Sequence, residues 1–93
     1  VSHFNSFKEF YPFYLSQHTR TSTKRLHFVG SCATLLLLFF GKVIAAIVAG
    51  YAFAWIGHFF FEKNRPATFT HPLYSLMGDW RMFWDVLRGR VEL

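Results

Sequence analysis

Ninety-three residues of which 53% are hydrophobic and 22% aromatic, with thirteen Phe, carry more apolar surface than a water-soluble domain of this length can bury. The formal charge of +5 raises nucleic acid as a partner, but there is no groove-reading helix, zinc-finger spacing or aromatic-plus-basic sheet motif, so nucleic acid is set aside. The lone Cys32 excludes an intrachain disulfide and a thiolate metal cluster.

In chain order, the first predicted element is an amphipathic helix within residues 1–20. Phe7, Phe10, Tyr11 and Tyr14 fall at helical spacing, and Pro12 is expected to kink the helix or begin its second half. The same stretch lacks the uninterrupted apolar core of a signal peptide. Residues 22–61 read as a membrane-embedded helical hairpin. Between Arg25 and Glu62 the only fully charged residue is Lys42, which with Gly41 divides the run into Leu26–Phe40 and Val43–Phe61. The second arm approaches the ~20 residues needed to cross a bilayer, whereas the first needs a helix start near Ser22.

Residues 62–71 form a predicted loop held by Pro66. A second amphipathic helix follows over 72–89, opened by Pro72 and closed by Gly89, with Leu73, Leu76, Met77, Trp80, Phe83, Trp84 and Leu87 on one face. The expected fold is a single all-α domain over 1–93, a helical hairpin flanked by two amphipathic helices lying at the membrane interface. Arg20, Lys24 and Arg25 precede the hairpin and Lys63 and Arg65 follow it, which predicts both termini on the cytoplasmic side and contact with anionic membrane lipid. The compact form suggests a bacterial inner membrane, or the endoplasmic reticulum if the source is eukaryotic.

The hairpin also aligns histidines. His27 lies about 14 residues before the turn and His58 about 16 after it, which puts them roughly 22 and 25 Å from the tip and therefore level. Ala46, Gly50, Ala54, His58 and Glu62 recur every four residues, and His27, Gly30, Ser31 and Thr34 share a face of the first arm. Small stripes are where membrane helices touch, so His27 is expected opposite His58. His18 and His71 sit where the flanking helices meet the same surface, while His3, near the chain end, is set aside.

A lone interfacial imidazole is more often a hydrogen-bonded anchor than a ligand, but four on one face suggest a transition-metal site, and imidazole without thiolate suits iron, zinc, manganese or copper. Glu62, one turn beyond His58, is the candidate carboxylate to complete a two-His-one-carboxylate triad, with Asp79 as a second. Lys63, Asn64 and Arg65 are the candidate substrate-binding residues, the two cations as anchors for a carboxylate. Phe59–Phe61 and the tryptophans read by default as an aromatic belt, with the lining of a groove for an acyl chain as the alternative reading of the same surface.

The strings FYPFYLSQH (Phe10–His18), RLHFVG (Arg25–Gly30), GYAFAWIGHFFFEKNRPATF (Gly50–Phe69) and HPLYSLMGDW (His71–Trp80) together resemble one small membrane family. It was long catalogued as a domain of unknown function, and its fungal member is an iron(II)-dependent 2-hydroxy fatty acid dioxygenase of α-oxidation. The similarity covers nearly the whole chain apart from Cys32–Ala49. It implies a multi-pass membrane enzyme that uses Fe(II) and O2 to remove one carbon from a 2-hydroxy fatty acid, with the family's histidines falling on His18, His27, His58 and His71. The short turn at Gly41 and Lys42 marks a minimal version, so substrate chain length is not carried over. The residues alone leave two other functions open: an electron carrier with haem between His27 and His58, and a non-catalytic lipid-binding adaptor.

Overall fold

The structure, a computed structural model, describes residues 4–93; the first three positions of the expected 1–20 helix, His3 among them, lie outside the described residues. Every regular element among the described residues is helical. Helix α1 spans Phe7–Ser16 and begins at Ser6, whose hydroxyl accepts the Glu9 N–H at 3.3 Å. It runs through Pro12 as one element, shorter than the 1–20 expected.

Helix α2 spans Thr21–Phe39, and after the turn at Gly41 and Lys42 helix α3 covers Val43–Ile56. The chain then continues as a π-helical segment, Gly57–Glu62, which the α-helical spacing did not anticipate. A 3₁₀ turn at Ala67–Phe69 leads to α4, Pro72–Leu87. Helices α2 and α3 run antiparallel in close contact. A Cβ on Gly57 would stand 3.0 Å from the Thr23 methyl, and one on Gly30 would stand 2.8 Å from Phe53 Cβ, while the Thr34 hydroxyl donates to the Ala46 carbonyl at 3.1 Å. Gly30 is thus a close-approach position, where the missing side chain lets the two backbones meet.

Phe10 and Tyr14 of α1, Met82 of α4 and Ala67 of the connecting turn form a small buried core. What is unusual is the orientation of α4. It buries Ser75, Gly78, Met82 and Asp85, and turns Leu73 (67% exposed), Trp84 (56%) and Leu87 (56%) outward. The inward polar groups have partners. Tyr11 Oη donates to Asp85 Oδ2 at 2.7 Å, and Arg81 and Arg88 reach the same carboxylate. Burial pushes the Asp85 carboxyl up, but these three donors outweigh it and hold it below the usual carboxylate range.

Phe39, Phe40, Ile44, Val48 and Phe60 add further exposed apolar surface on and around the α2–α3 pair. Patches of that extent mark an interaction surface. Among the described residues one helix, Val43–Glu62, is long and apolar enough to cross a membrane. Helix α2 has 19 residues but carries Lys24 and Arg25 in its first turns.

Candidate metal centre

Three imidazoles converge where α1 ends, α2 begins and the π-helical segment winds. His18 follows α1 in a turn closed by its own N–H to the Leu15 carbonyl at 3.1 Å. His27 lies early in α2, and His58 is the second residue of the π-helical segment. All three are buried. Their Nε2 atoms face one another, His18 to His27 at 3.1 Å and His27 to His58 at 3.3 Å.

The opposite ring nitrogens determine what those distances mean. His18 Nδ1 stands 2.7 Å from the Tyr14 carbonyl oxygen, which can only accept, so Nδ1 carries the proton. His58 Nδ1 stands 2.7 Å from Asn64 Oδ1. The Asn64 amide is oriented in turn by donation from Nδ2 to the Gln17 carbonyl at 3.1 Å and to Gln17 Oε1 at 3.2 Å. His27 Nδ1 faces Asp79 Oδ1 at 3.5 Å, and the Tyr14 hydroxyl donates to that same oxygen at 2.6 Å. With the protons of His18 and His58 held at Nδ1, their Nε2 lone pairs both point toward His27 Nε2, an arrangement that a cation among the three rings would satisfy.

Two imidazole nitrogens each about 2.0–2.1 Å from a shared ion are separated by roughly 3.0–3.4 Å, so the observed spacing fits three ligands of one metal. The partners of Nδ1, a carbonyl, a carboxylate and an amide oxygen, are those that orient ligating histidines elsewhere. The donor set, imidazole without thiolate, suits iron, zinc, copper or nickel.

Burial, reinforced by the neighbouring His58, lowers the His18 pKa to about 3 from its ordinary value near 6.5, so His18 is neutral and able to ligate. Unfolding therefore takes up a proton between those two values, and stability present above pH 6.5 is lost as pH falls toward 3. Thermal unfolding of the metal-free protein in detergent should show it as a midpoint that falls as pH drops below 6.5, with a shallower dependence for His18→Gln. Burial also raises the Asp79 carboxyl, to about 6, against the opposing hydrogen bond from Tyr14.

The other expected site residues are distributed differently. His71 does not join the three; it packs its ring against Phe4 and Phe10, with centroids 5.2 and 5.4 Å apart, and its Nδ1 meets Thr70 Oγ1 at 2.8 Å at the start of α4. Glu62 is not grouped with the imidazoles, because the spacing-of-four rule assumes α-helical winding and the π-helical segment, with its wider i→i+5 bonding, does not follow it. Its oxygens instead accept from Thr19 Oγ1 at 2.8 Å and from the Arg20 N–H at 2.5 Å, at the N-terminus of α2 where a negative charge is favoured. Glu62→Gln should therefore keep its metal and lose up to about 1 kcal/mol of stability, measurable by metal analysis beside thermal unfolding.

Asn64 serves His58 rather than facing outward, Lys63 ends the π-helical segment in a left-handed conformation (φ 62°), and the Arg65 guanidinium lies 5.1 Å from the Phe69 ring centre. Sequence reasoning missed Tyr14 and Gln17. Tyr14 precedes His18 by four residues, a helical spacing that was available as a signal, whereas nothing in the sequence pointed to Gln17.

Searches of curated proteins and of solved structures found no match. The family described as 2-hydroxy-palmitic acid dioxygenase Mpo1-like matches residues 4–91, a span that takes in all three convergent histidines and their partners. The chain therefore belongs to the Mpo1-like family.

Proposed function

We propose that the protein is a membrane-embedded, iron(II)-dependent dioxygenase that shortens 2-hydroxy fatty acids by one carbon. The observation that carries this reading is the convergence of three Nε2 atoms, with the protons of His18 and His58 held on the far side of their rings. The family description supplies the reaction class. The apolar exterior supports insertion of the α2–α3 pair as a hairpin, with α1 and α4 at the interface and the basic residues Lys24, Arg25, Lys63 and Arg65 facing the cytoplasm.

The reaction balances without an external reductant: a 2-hydroxy acid and O2 give the acid one carbon shorter, CO2 and H2O. The carbon carrying the hydroxyl becomes the new carboxyl carbon as its bond to the old carboxyl breaks, and the four electrons it and the departing carbon give up reduce O2. Iron(II), when bound, supplies the one-electron chemistry that lets O2 react with a closed-shell acid. His18, His27 and His58 would hold it through their Nε2 atoms.

Asp79, already hydrogen bonded through Oδ1 to Tyr14, is placed to hold the substrate's hydroxyl proton at Oδ2. Lys63 and Arg65, on the loop that carries Asn64, draw the substrate carboxylate toward the headgroup level. His71 positions the start of α4, and with it Asp79.

The 3.3 Å between His27 and His58 Nε2, with His18 in the same cluster, favours one small ion over a haem between the two arms. The test is anaerobic loading with Fe(II) followed by 2-hydroxyhexadecanoate and O2. Pentadecanoate and CO2 in equal amounts, with one O2 consumed for each, are expected. An unchanged substrate with a fully loaded site would overturn the assignment and leave a lipid-binding adaptor, which would also tolerate His→Gln changes.

A further inference from the structure

A cavity of about 350 Å³ opens beside His27 and Asp79 and runs between α2, α3 and α4. That volume lies within the range of sites for small organic ligands. On α2 its wall is His27, Ser31, Thr34 and Leu38, one helical face read at steps of four, three and four. On α3 the small residues Gly50 and Ala46 leave the space open, and Ile47 stands beside them at the end away from the histidines. Beside the cavity α2 and α3 touch, since a Cβ on Gly50 would come within 2.9 Å of Thr34 Oγ1. One end is thus polar and continuous with the candidate metal centre, and the other is apolar. Ile47 is 54% and Leu38 43% exposed, so the far end opens toward the surface that the proposed function places in hydrocarbon.

We propose that this groove holds the hydrocarbon chain of the substrate, with the acid head at His27 and Asp79, and that Leu38 and Ile47 set the accepted chain length. The inference rests on the functional reading above. Eleven residues separate His27 from Leu38, which amounts to roughly 16 Å of helix. An extended chain advances about 1.2 Å per bond, judging from the ~3.3–3.6 Å of an extended peptide residue with its three bonds, so the groove covers roughly 13 bonds. An acid of roughly 14–16 carbons fills it, and a longer one must pass Leu38 and Ile47.

The test uses the full chain, metal-free, in phospholipid nanodiscs with 2-hydroxyhexadecanoic acid carrying a terminal diazirine. Photolabelling should concentrate on Leu38, Ile47 and their immediate neighbours, and excess unlabelled 2-hydroxyhexadecanoate should suppress it. Labelling spread over the outward-facing Leu36, Ile44 and Val48 without competition would overturn the proposal. In the iron-loaded protein, Ile47→Trp should shift preference from sixteen-carbon toward twelve-carbon acids by roughly tenfold, whereas Ile44→Trp, outside the groove, should not. An unchanged profile in a folded Ile47→Trp protein would count equally against it. Competed labelling without turnover of any 2-hydroxy acid would sink the functional reading and leave the groove standing; turnover with dispersed labelling would do the reverse.

Discussion

Replacing His58 by Ala should reduce bound iron from about one per chain to less than roughly a tenth, and turnover with it, while helix content in detergent is unchanged. His58 is only 3% exposed, yet its place in the π-helical segment rests on backbone bonds, including the Asn64 N–H to its carbonyl at 3.0 Å, which an alanine keeps. The fold thus survives while one of three Nε2 donors is lost. The weaker variant Asn64→Ala gives the graded control. It leaves all three donors but removes the acceptor that fixes the His58 proton, and iron affinity should fall by roughly 10–100-fold. Iron titration of both variants checks the pair; equal and full loading of His58→Ala would remove the proposed site.

Gly78→Ala should be the most damaging substitution outside the imidazoles. The added Cβ would lie 2.7 Å from Tyr14 Cδ2 and 2.9 Å from Cε2, and Tyr14 is 1% exposed in the core between α1 and α4. The ring cannot retreat freely. It stacks on His18 with centroids 4.2 Å apart, its hydroxyl binds Asp79, and its carbonyl receives the His18 proton. Overpacking of this kind costs about 1–3 kcal/mol. Because the displaced residue positions both His18 and Asp79, iron affinity should drop along with the unfolding temperature. A destabilised variant with unchanged iron affinity would show that Tyr14 supports the core alone.

The sequence carried the helix order because the signals were strong and local. Pro72 opens α4, Gly41 and Lys42 interrupt one long apolar run, and the spacing of small residues brings Gly30, Thr34 and Ala46 into the α2–α3 contact. The level placement of His27 and His58 followed from rise per residue alone. Glu62 was less tractable, because the change from α to π winding at Gly57 is not written in periodicity, and the four-residue step from His58 to Glu62 falls wholly within the π-helical segment, where it no longer keeps one face. The apolar stripe of α4 was read as facing the membrane interface, and the chain turns Leu73, Trp84 and Leu87 of that stripe outward; what the stripe did not reveal is that the opposite face buries the polar Ser75 and Asp85. His71 shows the limit of grouping residues by expected height, since its ring packs against α1 aromatics. The partners of Nδ1, Tyr14, Asn64 and Asp79, come from three segments and needed the tertiary fold to be seen together.

The central claim is that His18, His27 and His58 form one metal centre, and anaerobic Fe(II) titration of the detergent-purified protein, followed by X-ray absorption at the iron edge, tests it most directly. The account predicts saturation near one ion per chain and imidazole scattering from about three nitrogens at about 2.1 Å, reduced to two in His18→Ala. Absence of a saturable site, or saturation with scattering unchanged in that variant, would contradict it.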